Sequence, residues 1–243
     1  MSTLASETAP APPLSAAPIV PLSSIGAKSI MALTGLGLTL FVIAHMLGNL
    51  QLFLGPDALN AYAAKLKDMP ELLWLARLGL LAIFVIHIAL GIWLAVNNRQ
   101  ARPVPYVYQN TRAATVASRT MLYSGLVLLA FVVFHLAHYT FGWICPDYLT
   151  FRDPKQRPDV YRMTVEGFRV WWVSLAYIVS MLLLGRHLSH GVASTAQSLG
   201  INHPRYNQLI RNGGLAIAVI LTVGNISMPV AVLLGVIKLP GGN

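Results

Sequence analysis

Five stretches of the chain carry apolar residues with almost no charge, and that pattern predicts the architecture. Residues 29–54, 78–98, 120–146 and 212–237 contain no Lys, Arg, Asp or Glu. A further stretch runs from Phe168 to about residue 196, interrupted only by Arg169 at its start and Arg186 inside it. About 20 helical residues cross a hydrocarbon core of about 30 Å, so each stretch predicts a transmembrane helix. Interior glycines such as Gly35 and Gly125 fit helices in lipid, where small residues allow close packing. The expected spans are about 29–54, 72–98, 119–145, 168–196 and 207–237. They form an all-α membrane protein, a helical bundle over residues 28–243. Residues 1–27, rich in Ala, Pro and Ser, read as a flexible tail. That tail has no cation before Lys28, so no cleaved secretory signal is expected.

Composition supports the same class. Hydrophobic residues make up 56% of the chain and charged residues 10%, against about 25% charged in a soluble domain. The net charge of +9 is spread through loops with no aromatic-interleaved basic face, which argues against a nucleic-acid partner. With five spans, Lys28, Arg99, Arg102, Arg112, Arg119, Arg186, Arg205 and Arg211 share one side. Cation counts on the two sides are nearly equal. The four arginines around the loop between the second and third spans, with no acid nearby, place that side and the N-terminus in the cytoplasm. The single cysteine, Cys145, excludes an internal disulfide and a cysteine-held zinc or iron–sulfur centre, and is expected to sit inert at a helix end.

The candidate chemistry lies in the histidines. His45, His87, His135, His138, His187 and His190 all fall within expected spans, and each of the first four spans supplies at least one. An ionisable side chain in lipid needs a partner or a task. At 1.5 Å per residue, His45 and His135 lie roughly 25 Å and 24 Å from the cytoplasmic side, and His87 and His187 roughly 16 Å and 14 Å. Two bis-imidazole haem b groups, stacked about 10 Å apart, fit that layout. No Cys-x-x-Cys-His sequence is present, so the haems would be held non-covalently. His138 and His190 fall about 4 Å outside the two levels. They are expected to touch a propionate or a quinone, or to cap helix ends. Gly48, Gly91 and Gly191 follow His45, His87 and His187 by three or four residues, on the same helix faces, where a flat macrocycle needs room. Arg186 is the one strong cation inside a span and is expected to pair with a haem propionate. No carboxylate lies within any span, which suits moving electrons better than relaying protons.

The segments 41–51 (FVIAHMLGNLQ), 84–87 (FVIH), 134–140 (FHLAHYT) and 186–191 (RHLSHG) carry a resemblance. Over about residues 28–238 the chain resembles the cytochrome b558 subunit of succinate dehydrogenases and fumarate reductases, of the single-chain, five-helix, two-haem type. The resemblance implies that His45 and His135 ligate the haem distal from the catalytic subunits, and His87 and His187 the proximal haem. It also implies a flavoprotein and an iron–sulfur protein docked on the cytoplasmic face of a bacterial inner membrane, with electrons passing to a quinone, usually menaquinone. Asn49, Gln51 and Glu71 fall near the outer ends of the first two spans, close to the distal haem, and are candidate quinone contacts. Rival readings are a dihaem anchor of a hydrogenase or formate dehydrogenase, and a transporter that uses its histidines for substrate or protons.

Overall fold

The computed structural model describes residues 23–101 and 116–241. The expected tail over 1–22 and the loop cations Arg102 and Arg112 lie outside them. The described chain is helical: α1 (Ser24–Asn49), α2 (Pro56–Lys67), α3 (Pro70–Gln100), α4 (Val116–Arg119), α5 (Met121–His135), α6 (Val160–Arg169), α7 (Trp171–Ser198) and α8 (Pro204–Leu233). A 3-10 turn, Leu50–Leu54, extends α1, and a π turn, Leu136–Thr140, extends α5. Among the described residues there is no β-strand, only an isolated bridge between Arg152 and Pro158.

Five helical segments are long and apolar enough to cross a membrane: Ser24–Leu54, Pro70–Gln100, Met121–Thr140, Trp171–Ser198 and Pro204–Leu233. The segment on α3 has a window of mean hydropathy 2.5, of which the protein itself buries only 11%. An apolar face of that extent calls for lipid rather than water, and the chain is a multi-pass membrane protein. Trp74, Trp143, Trp171 and Trp172 lie exposed at one end of the bundle, where amphipathic rings mark a membrane–water boundary. The helix α7 is central, packing against α1, α5, α6 and, over most of its length, α8. Gly185 of α7 lies directly against Thr222 of α8, and Gly214 lets Val192 approach to 3.2 Å of where a Cβ would stand. Small residues at such crossings permit the close backbone approach that substitutes for hydrophobic drive in lipid.

Several boundaries differ from the sequence expectation, each for a local reason. The first helix begins at Ser24, ahead of the expected residue 28, because the Ser23 side chain accepts the Gly26 N–H at 3.1 Å and satisfies one of the orphan donors of the first turn. Ala27, expected at the end of the tail, is fully buried. The third span stops at Thr140 rather than 145. The Phe141 N–H closes a wide turn on Leu136 O at 2.8 Å, and Gly142 at φ 65° turns the chain away. The fourth span starts at Trp171, because Val170 is extended (φ −76°, ψ 106°) and separates it from α6. Ser174 Oγ donates to Phe168 O at 2.6 Å across that break. The last span runs from Pro204 to Leu233 rather than 207–237, Pro204 supplying a pre-set first turn.

The amphipathic helices α2 and α6 lie outside the expected spans and cap the tryptophan-bearing end. Gly55 at φ 98° turns the chain into α2. Asn60 is wholly buried between the two helices. Its Nδ2 donates to Asp159 Oδ1 and its Oδ1 accepts the Tyr161 N–H, each at 2.9 Å. Asp159 in turn caps α6 by accepting the Arg162 N–H at 3.0 Å. On the rim, Lys155 and Arg157 both reach Asp57 at 2.7 Å, and Arg157 also pairs with Asp153. Cys145 lies half-buried just before a 3-10 turn, Pro146–Leu149.

Candidate cofactor site

The bundle sets four of the histidines at two depths, and at one of them two rings meet. At the level nearer the tryptophan end, His45 of α1 faces His135 of α5, their ring centroids 5.8 Å apart and their planes at 85°. Two imidazoles bound to opposite faces of one metal, with bonds of about 2 Å each, would hold their centroids about 6 Å apart. Phe41 stacks on His45 one turn earlier, at 5.4 Å and 17°.

At the other level, hydrogen bonds settle which nitrogen is free. His87 Nδ1 lies 3.3 Å from Met31 O and 3.3 Å from Thr34 Oγ1, both on α1. The Thr34 hydroxyl has Ile30 O and Met31 O, at 2.9 and 3.0 Å, for its own proton. Nδ1 of His87 is therefore the donor, and its Nε2 carries the lone pair. His187 Nδ1 meets Ser124 Oγ of α5 at 3.1 Å, while Ser124 directs its proton to Met121 O at 3.0 Å. The result is the same tautomer. A metal-binding histidine almost always donates its other N–H to such a partner, which fixes ring orientation and raises ligand basicity. His187 lies within electrostatic reach of His87 and His190.

The contacts also measure the separation of the levels. Gly35 of α1 is level with His87, since a Cβ there would stand 3.1 Å from the ring, and Gly125 of α5 is level with His187 at 3.7 Å. Tyr177 of α7 is level with His135, its Oη 3.1 Å from Nδ1. Gly35 to His45, Gly125 to His135 and Tyr177 to His187 are each ten residues, or about 15 Å of helix. This corrects the sequence-based 10 Å. That figure took all the helices as starting at one depth, which the contacts between them do not bear out.

The remaining sequence candidates fall in different surroundings. A Cβ at Gly191 would meet nothing within 4 Å, and at Gly91 only Met31 Sδ at 4.0 Å, so both leave room beside the lower pair. At Gly48 the room is taken by Tyr62 of α2, 2.6 Å away. His138 is buried, 1% exposed, with Phe134, Tyr139, Tyr148 and Tyr177 around its ring. His190 is half-buried one turn beyond His187. Arg186 is exposed and turns toward α5, its Nε donating to Thr120 Oγ1 at 3.4 Å. The cleft it borders, of about 300 Å³, is also lined by Ser124, the partner of His187. Asn49 and Gln51 are half-buried just past His45, and Glu71 is exposed in the first turn of α3. His203, the histidine outside the spans, caps α8 by accepting the Arg205 N–H at 3.2 Å.

Sequence reasoning missed the residues that orient the imidazoles: Thr34, Ser124 and Tyr177. Their signal is a hydroxyl inside an apolar span, which such spans also use for ordinary helix packing. Among the described residues no three His, Cys, Asp or Glu side chains converge on one point. Paired imidazoles suit a metal that brings its own four in-plane ligands, and haem is such a group. No protein-family model, curated protein or solved structure matches the chain.

Proposed function

We propose that the chain is a dihaem cytochrome b, the membrane anchor of a succinate:quinone oxidoreductase, passing electrons between an iron–sulfur subunit and a membrane quinone such as menaquinone. The observation that carries the reading is the His45–His135 pair at 5.8 Å and 85°, with His87 of α3 and His187 of α7 held through Nδ1 at a second level. Haem b, when bound, supplies reversible one-electron chemistry at each level. His45, His87, His135 and His187 would each hold a haem iron through Nε2. Met31, Thr34, Ser124 and Tyr177 hold the rings in place from the far side. The helices fix the levels about 15 Å apart, half the thickness of a hydrocarbon core of about 30 Å. Arg186 meets a propionate from the rim of the lower level. Gly91 and Gly191 leave space for the macrocycle.

Orientation follows from charge. The end of the bundle bearing Lys28, Arg99, Arg119, Arg205 and Arg211 has no carboxylate among the described residues, and seven of the eight acids lie at the other end. The four arginines around the loop between the second and third spans, with no acid nearby, favour the cytoplasm for that end, which would put the N-terminus and the subunits that supply electrons beside the His87–His187 level. The quinone then meets the His45–His135 level near Asn49, Gln51 and Glu71. The deciding measurement is a reduced-minus-oxidised spectrum of the purified protein with haem quantified as pyridine haemochrome. Two low-spin b-type haems per chain support the reading; one or none overturns it.

A further inference from the structure

Tyr177 carries a hydroxyl that two histidines share. Its Oη lies 3.1 Å from His135 Nδ1 and 3.5 Å from His138 Nδ1. His135 and His138 are three residues apart where α5 passes into its π turn, so both rings present to the same face and meet one side chain of α7. The tyrosine is buried with its ring locked by Phe131, Phe134, Tyr139 and Phe168, at centroid distances of 5.0 to 5.9 Å. No rotamer hop breaks this arrangement without dismantling the cluster. A phenol has one proton to give and can accept at its oxygen. It cannot donate to both imidazoles at once.

We infer that His135, Tyr177 and His138 form a directed hydrogen-bond chain, in which Tyr177 and His138 act as positioning residues that tune the metal bound by His135. The inference rests on the dihaem reading above, because that reading fixes the direction. With Nε2 of His135 committed to iron, its Nδ1 carries the proton and donates to Tyr177 Oη. The phenol proton is then directed to His138 Nδ1, which accepts and leaves the His138 proton on Nε2. Successive hydrogen bonds polarise one another, so a phenol that donates onward is a better acceptor behind. A stronger acceptor at Nδ1 makes the imidazole a more basic ligand and favours the oxidised metal. Among the described residues the other three ligands show no such extension: His87 ends on the Met31 carbonyl and the Thr34 hydroxyl, His187 on the Ser124 hydroxyl, both hydroxyls bonding back to carbonyls of their own helices, and His45 stacks on Phe41. The two levels therefore carry different potentials, and the tyrosine chain lowers that of the His45–His135 level.

The test is a redox titration of the intact complex, with electron paramagnetic resonance to follow each low-spin centre. Tyr177→Phe keeps the ring packing and deletes only the hydroxyl. It should raise the potential of one haem while the other stays fixed, the oxidised-to-reduced ratio moving up to about tenfold, or about 59 mV for one electron. His138→Leu leaves the hydroxyl but removes its acceptor, and should shift the same haem in the same direction by less. His138→Gln, whose amide oxygen can accept, should restore part of that shift. If Tyr177→Phe loses a haem, His138→Leu decides by the same titration. Unchanged potentials in two-haem variants, or a shift confined to the other haem, overturn the inference. A wild-type protein without two haems instead overturns the function on which it rests.

Discussion

At the scale of single residues, the proposed function divides the histidines into ligands and bystanders, and that division has direct consequences. His87→Ala or His187→Ala should remove one haem and leave the other, as counted by haemochrome assay and by the loss of one low-spin resonance. His190→Ala should retain both, because its ring lies a turn beyond the level that His187 shares with Ser124. Loss of a haem from His190→Ala with none from His187→Ala would reverse the assignment. Arg186 acts through charge. Reduction adds an electron near a cation, so the guanidinium stabilises the reduced state more than the oxidised one. Arg186→Leu should lower the midpoint potential of the haem at the His87–His187 level with both haems still bound; an unmoved potential would leave Arg186 only its bond to Thr120.

At the scale of elements, the cap made by α2 and α6 packs on the bundle through Leu59, Tyr161, Val165 and Phe168, and one buried amide joins its two helices. Asn60→Leu would leave the Tyr161 N–H without its acceptor and deprive Asp159 of one of its two donors, and a buried orphan donor costs about 1–3 kcal/mol. Amide hydrogen exchange should rise throughout both helices in this variant while the haem spectrum stays unchanged. The rim of the cap also has a defined response to acid. The Lys155 and Arg157 hydrogen bonds hold the Asp57 carboxyl below its ordinary 3.8. Burial pushes the Asp153 carboxyl up, but the hydrogen bonds and charge of Arg157 outweigh it and bring it below the same value. A carboxyl lowered in the folded state stabilises above the unfolded value, and the contribution is lost as pH falls through the lowered one. Exchange in α2 and α6 should therefore be flat from neutral pH down to about 4 and rise only below it, once intrinsic exchange is corrected. A rise beginning at pH 6 would show that the carboxylates do not secure the cap.

At the scale of the whole molecule, the proposed orientation puts the tryptophan-bearing end outside and the basic end, without carboxylates among the described residues, in the cytoplasm. With the N-terminus cytoplasmic, Lys155→Cys in a Cys145→Ser background should react with an impermeant maleimide added to intact cells. Arg205→Cys in the same background should react only after the membrane is opened. The reverse pattern would invert the topology and move the His45–His135 level to the cytoplasmic half, without altering the pairing itself.

Much of this was legible in the sequence. Runs without charge locate five spans because lipid admits no unpaired backbone and few ions, and a helix of fixed rise turns residue number into depth. The same arithmetic put His45 with His135 and His87 with His187 before any contact was known. What the arithmetic could not supply is where each helix starts. Helix ends depend on local devices such as the Ser23 cap, the turn at Gly142 and the break at Val170, and the relative depth of the helices, which puts the levels about 15 Å apart rather than 10, shows only in the contacts between them. The helices α2 and α6 were invisible to a search for apolar runs, since each buries only one face and is charged on the other. Roles assigned by spacing alone were also decided by neighbours distant in sequence: Tyr62 occupies the space at Gly48, while Gly191 stays open. Tyr177, 42 residues from His135 along the chain, reaches both His135 and His138 only because α7 packs beside α5. Periodicity and cost of burial act along one helix and can be read from it, whereas the partner of a side chain is set by which helices lie side by side.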